Sequence, residues 1–427
     1  MNKIFYSILS GLLFAFSVNS MEITTGQQSL EFHGYFRGGI GMSEEGTTQA
    51  RFQAPGARGK YRLGNEPETN MELEFVYTYD MNEAEAKDAN IQGVIMLDGF
   101  KSQGDSSDFS IGNLAQGYLT FNDIFDNDVK LWLGRRYYDR KSIHIMNHYW
   151  LNTGQNSQAG VGIENLKISQ AKLNVAIFRH EDKDTLDNIN YELINNTVLD
   201  LRLHSLQLNK HSSLTIWGQL AARSEQPALL NVNKETGAGL GFWIDHKSGK
   251  IKNTLAVIHQ KSAAITRSDF NPWSVRESEG WILDNAKALE VNNTFTYESL
   301  PDLSYQWSMV FRHEDRGTTT NSTVNWYSTG IRPVFYFTRH LNLALEAGID
   351  YVDDEINNRS GSLSKLTTVL QISADRGFKS RPVMRFFITL ADWSDDFIGF
   401  VGNIPGNAPY GNDSKGWTVG AQTEVWW

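Results

Sequence analysis

The sequence predicts an all-β chain folded as a transmembrane antiparallel β-barrel, and three observations carry that prediction. Apolar and polar residues alternate over segments of about ten residues or more, long for a sandwich strand and suited to a tilted membrane crossing. Tyr, Trp and Phe gather at segment ends, where the interfacial girdles of a barrel would lie. The last segment runs directly into an aromatic residue, Trp427, as outer-membrane barrels commonly do.

The first twenty residues predict an export signal. Lys3 supplies positive charge, Ile8 to Phe16 form an apolar run, and Val18-Asn19-Ser20 is an acceptable small-residue cleavage site. That run is shorter than the ~20 residues a helical span needs, and no later stretch approaches ~18 consecutive apolar residues. The expected organisation is therefore a signal peptide at 1–20 and a single barrel domain at 21–427. Length alone favours two or three domains for a chain of 427 residues. A barrel escapes that expectation because it grows by adding strands to one closed sheet. A mean hydropathy of −0.40 with 12% aromatics suits a wall in which only alternate residues meet lipid. The absence of cysteine excludes disulfides, thiolate metal sites and cysteine nucleophiles. A formal net charge of −10 argues against nucleic acid as a partner.

Period-2 alternation assigns faces. In Gly416 to Trp427, Trp417, Val419, Ala421, Val425 and Trp427 share one face, and Thr418, Gln422, Glu424 and Trp426 share the other. On an early strand, Phe32, Gly34, Phe36 and Ile40 form the apolar face, leaving His33, Tyr35 and Arg37 inward. On the next, Tyr61, Leu63, Met71, Leu73 and Phe75 are expected to face out, and Arg62, Glu72 and Glu74 to face in, provided no bulge near Gly64 to Pro67 shifts the register. Closure would pair the first strand with the last and set Tyr35 beside Trp426. An internal echo, Phe178 to Asp182 against Phe311 to Asp315, reads as two strands running out into charged surface loops.

The segment Phe32-His33-Gly34-Tyr35-Phe36-Arg37-Gly38-Gly39-Ile40-Gly41 resembles the first strand of the maltoporin family, the sugar-specific porins. Further matches follow in order: Lys60 to Glu66, Gly134-Arg135-Arg136-Tyr137-Tyr138, Gly162 to Asn165, Gly330 to Pro333, Ser380-Arg381-Pro382, and Gly420 to Trp427. The resemblance implies eighteen strands, a homotrimer, and a third loop, about Asp139 to Gln158, that folds inward and narrows the barrel. It also implies a path for sugars, with aromatic rings for pyranose faces and charged groups for hydroxyls. By matching positions, Tyr35 and Trp426 would stack on sugar, Arg37, Arg62, Glu72 and Arg140 would bond hydroxyls, and Tyr149 would form the constriction. His144 would fix the inward loop.

Departures are also visible. Asn70, Lys379 and Ile251 stand where the family has further aromatics. Ser110 stands for a polar-track Arg, Asn147 for an acidic residue of the inward loop, and Phe100 is nearest to the neighbouring-subunit Trp. The expected function is facilitated diffusion of a saccharide, maltodextrin-like or another, across the outer membrane. Lipid and lipopolysaccharide would be the surroundings, with no cofactor and no metal. A general, low-selectivity diffusion porin is the alternative that the missing aromatics favour. An enzyme is not expected, since neither Gly-x-Ser-x-Gly nor His-Glu-x-x-His occurs.

Overall fold

The computed structural model describes residues 21–427 apart from 82–88, 103–104, 106–107, 124–127, 185–191, 225–233, 269–270, 276, 299 and 403–408. The expected export signal at 1–20 lies outside the described residues. Eighteen antiparallel strands form one closed wall: β1 Gln28–Ser43, β2 Thr69–Asp80, β3 Asn90–Lys101, β4 Asn113–Asn122, β5 Lys130–Arg135 and β6 Ala159–Ile168. The wall continues through β7 Ala171–Asp184, β8 Glu192–Asn209, β9 Ser212–Arg223, β10 Glu235–Ser248, β11 Ile251–Ser262 and β12 Lys287–Tyr297. It ends with β13 Leu303–Asp315, β14 Thr323–Tyr336, β15 Leu341–Asp354, β16 Arg359–Ser373, β17 Val383–Trp393 and β18 Lys415–Trp426.

Each strand pairs with its neighbours in sequence, and β1 pairs with both β2 and β18, which closes the sheet. No strand edge is then left along the seam, so the backbone polar groups of the wall are satisfied internally. The C-terminal residue finishes the seam, with reciprocal backbone hydrogen bonds of 3.1 Å between Gly34 and Trp427. Beyond that point a short strand, Met21–Thr25, takes over as the partner of Gln28 to Phe32.

Alternation holds along the wall. In β17, Met384, Phe386, Ile388 and Leu390 are exposed, whereas Val383, Arg385, Phe387, Thr389, Ala391 and Trp393 are buried. The exposed apolar set forms the outer surface. In β1 the expected parity is observed: Ile40 is 75% exposed on the outer face and Arg37 is 5% exposed within.

Three expectations are corrected. Tyr61, Arg62 and Leu63 do not continue β2, which begins at Thr69. They belong to the long connection 44–68, and Tyr61 and Leu63, expected to face lipid, are buried inside. The turn at Gly64, whose φ is +61°, bends the chain and breaks the two-residue phase on which the assignment rested. Nor do all the aromatics form girdles. Trp217, Trp243, Trp326 and Trp393 are buried and face inward, packing with Phe52, Tyr61, Ile145, Met146 and Trp150.

An apolar core forms where residues of connections 44–68, 136–158 and 394–414 pack with buried side chains of β9 to β17. Tyr61 shows how close the fit is. A methyl group added to Gly330 or Gly348 would collide with its ring, and its hydroxyl lies 3.1 Å from the Ser328 hydroxyl. Connections 44–68 and 136–158 also bond to each other, Lys60 N–H to Met146 C=O at 2.8 Å and Arg62 N–H to Ile145 C=O at 3.0 Å. The echo around residue 312 belongs here too. Arg312 and Glu314 lie in β13, not in a surface loop, and Arg312 reaches Glu290 at 2.8 Å while Glu314 accepts from Arg58. His148 closes the same clamp, 2.8 Å from Glu290.

Tyr61→Ala should lower the unfolding free energy by about 3 kcal/mol, the usual scale for removing a buried aromatic. Urea unfolding in lipid vesicles measures this, and an unchanged midpoint would mean that connection 44–68 is not anchored through Tyr61.

Candidate functional site

Barrel closure builds the site. In the β1–β18 register Tyr35 is the direct partner of Trp426, and Arg37 is the partner of Glu424. On the other side of β1, Tyr35 faces Glu72 of β2. Period 2 keeps all five side chains on the inner face, where polar groups that would be costly in lipid find partners.

The connection 44–68 completes the constellation. Arg37 donates to Glu66 at 2.9 Å, to Glu68 at 3.0 Å and to the Tyr35 hydroxyl at 3.1 Å. The Tyr35 hydroxyl donates to Glu424 at 3.1 Å. Arg62 donates to Glu66 at 2.8 Å, lies 3.2 Å from His144 Nδ1, and has its second terminal nitrogen 3.6 Å from Glu424. Glu424 is the hub, since Arg381 at 2.5 Å and Arg385 at 2.7 Å also reach it. The Arg381 guanidinium sits 4.3 Å from the Trp426 ring centroid, covering one face of that ring.

The loop groups show the balance of these charges. Burial is the largest influence on Glu66 and opposes its ionisation, yet Arg37, Arg62 and Lys60 together hold its carboxyl down to about 2. His144 is driven well below its ordinary value, first by burial and then by the neighbouring charges of Arg62 and Arg332. It is thus neutral at pH 7 and serves as a partner to Arg62 rather than as a charge.

A second group lies on connection 136–158. Arg140 is 3.9 Å from the Tyr137 ring centroid and 5.2 Å from that of Tyr149, and donates to Gln155 at 3.4 Å. Tyr149 stands in a small hairpin formed by Lys141–Ile143 and His148–Leu151. Glu72 lies within electrostatic reach of both Arg140 and Arg37.

Of the residues singled out in the sequence, Tyr35, Arg37, Arg62 and Trp426 come together around Glu66 and Glu424. Glu72 faces Tyr35, and Arg140 pairs with Tyr149 in a separate cluster. Arg381, Arg385, Glu66, Glu68 and Glu424 were not singled out as binding residues. Parity on β17 and β18 marks Arg385 and Glu424 as inward, and that signal was available. Glu66, Glu68 and Arg381 lie on connections, where no period assigns a face. Among the departures, Asn70 is the register partner of Arg37, Lys379 is exposed, and Phe100 is 59% exposed on β3.

The chain matches the LamB porin family over residues 30–427. Among solved structures, the outer membrane channel DcaP of Acinetobacter baumannii gives a TM-score of 0.49 at 14% identity, covering 94% of this chain and 99% of that one. OmpF of Salmonella typhi, solved in complex with daunomycin, gives 0.50 at 9% identity, covering 95% of this chain and 100% of that one. At that identity the likeness to OmpF shows a shared barrel fold and nothing finer. The family match, together with the closed wall of eighteen strands, establishes that the chain belongs to the LamB porin family and is a β-barrel porin of the bacterial outer membrane.

Proposed function

We propose that this porin passes saccharides by facilitated diffusion, as a homotrimer exported by the signal at 1–20. The observation that carries the reading is the seam: two aromatic side chains, Tyr35 and Trp426, are register partners on the inner face beside Arg37 and Arg62. A pyranose presents apolar C–H faces and a rim of hydroxyls. Rings beside fixed guanidinium and carboxylate groups match both features, and fixed groups lose little entropy on binding.

In this reading the connection 136–158 folds inward and sets the narrowest point, with Tyr149 as its bulk. Support comes from the bond between His148 and Glu290 of β12 and from the burial of Ile145 and Met146 against the wall. An eighteen-stranded barrel is too wide to discriminate small solutes without such a constriction. Glu72 and Arg140 would bond sugar hydroxyls as they pass between the two clusters. Lipid and lipopolysaccharide would cover the outer face.

A second reading, a general diffusion porin of low selectivity, is favoured by one observation. Arg381 occupies a face of the Trp426 ring, and Lys379 and Asn70 stand where further aromatics would lengthen the track.

Single-channel recording in planar bilayers separates the two readings. If maltodextrins, sucrose and β-glucosides at millimolar concentration all leave the current unchanged, the sugar-specific reading fails. Tyr149→Ala should raise conductance, since it removes bulk from the constriction; equal conductance would show that Tyr149 does not set the width. Trp426→Ala should weaken sugar block about tenfold, the scale of one lost aromatic contact, with conductance nearly unchanged. Equal block in variant and wild type would remove Trp426 from the path.

A further inference from the structure

The charges at the seam wall do not balance. Glu66 and Glu68 pair with Arg37, Lys60 and Arg62, and Glu424 pairs with Arg62, Arg381 and Arg385. Next to them Glu346 pairs with Arg332 and Lys365. Arg332, Arg62, Arg381 and Arg385 line one small cavity, of about 10 Å³, together with Glu66 and Glu424. These ion pairs join seven cations to four carboxylates, an excess of three positive charges. Widening the set to groups in electrostatic reach adds Arg51, Asp350 and Glu72, which still leaves cations in surplus. His144, held neutral, adds nothing to the count.

This surplus contrasts with the chain as a whole, whose formal charge is −10. Burying a cation without a full counter-charge is costly, so a surplus persists where something anionic offsets it. Arg381 shows the strain of that position. Burial pulls its guanidinium down to about 9, Glu424 opposes the shift, and Arg385 and Arg62 add to it. Its Nε is buried and has no hydrogen-bond partner among the described residues.

The turn 374–382 carries Arg381 and extends the cationic wall. It is fastened to the barrel rim by Gly377 N–H to the Tyr336 hydroxyl at 2.9 Å, Phe378 N–H to Glu298 at 3.1 Å and Arg376 to the Pro301 carbonyl at 2.6 Å. That anchoring holds Arg381 on the Trp426 ring and leaves Lys379 in solvent at the end of the barrel where Trp427 lies. A solute leaving the Tyr35 and Trp426 rings toward that end therefore meets a turn that carries Arg376, Lys379 and Arg381 against a single carboxylate, Asp375, with Phe378 between them. The cavity among the arginines is too small for a sugar ring, so the wall acts by its field and by the rims of its guanidinium groups.

We infer that the saccharide favoured by this porin is anionic, a sugar bearing carboxylate or phosphate groups. The inference rests on the sugar-porin reading and narrows its substrate class. The purified porin in planar bilayers tests it, with oligogalacturonate, glucose 6-phosphate and maltotriose as probes of matched concentration. At low salt at least one anionic probe should block at about tenfold lower concentration than maltotriose, and the advantage should shrink as KCl rises and screens the wall. Which anionic probe blocks distinguishes carboxylate from phosphate. Lys379→Glu, which changes the charge by two, and Arg381→Gln, which changes it by one, should each shift the ratio of the two affinities toward maltotriose by roughly threefold to tenfold, the scale of partly screened charges. Lys379 is exposed, so its variant keeps the test open if Arg381→Gln fails to fold. Block by maltotriose equal to or stronger than that by both anionic probes overturns the anionic inference and leaves the sugar reading standing. Absence of block by every probe overturns the sugar reading, and this inference with it.

Discussion

A closed wall of eighteen strands encloses more space than its own side chains fill, and the rest of the structure answers that constraint. Several connections do the filling, among them 44–68, 136–158, 263–286 and 394–414. Residues 44–68 and 136–158 lie against β9 to β17, joined to the wall by inward tryptophans and to each other by main-chain hydrogen bonds. Packing there is close enough that glycine is required at 330 and 348 to admit Tyr61. The lumen is thus divided. One sector is a dry core, and the sector by β1 to β5 keeps half-buried polar side chains such as Tyr35, Glu72, Glu74 and Arg135.

The division explains why so many charges are fixed. A connection packed against the wall needs directional anchors as well as apolar contact. Arg58 with Glu314, His148 with Glu290, and Arg37 and Arg62 with Glu66 supply them. Such pairs add less to stability than their number suggests, because desolvation offsets much of the attraction. Their main effect is positional. Arginines held by carboxylates on two elements have little freedom left, so the inner surface keeps one arrangement while solutes pass.

The wall was legible from the sequence and the lumen was not, for a physical reason. Strand side chains obey a period of two, so Arg37 inward, Ile40 outward and Tyr35 beside Trp426 followed from counting. The connection 44–68 obeys no period. Tyr61 and Leu63 alternate as a strand would, and the alternation was misleading, because burial in the lumen selects apolar residues as lipid does. The aromatics share that ambiguity: Trp217, Trp243, Trp326 and Trp393 are core residues, and composition does not separate them from interfacial ones. Arg312, which is buried, and Glu314, which is half-buried, are part of a charged run and act as clamps on the wall. Composition cannot tell inside from outside when both sides of a wall have apolar territory.

The seam carries a further consequence. Tyr35, Arg37, Glu424 and Trp426 meet only when β1 pairs with β18, so the residues that would contact a solute do not form a site in any open sheet. A register slip of one residue would turn Glu424 outward, into lipid, and leave Arg62, Arg381 and Arg385 without their shared carboxylate. Slipping by two would separate Tyr35 from Trp426 and break the Gly34–Trp427 hydrogen bonds that end the seam. The charge network therefore disfavours every closure except the observed one, at the place where a barrel has no neighbouring turn to set its register. Site formation and correct closure are the same event, and the arginines that form the candidate path also specify how the barrel shuts.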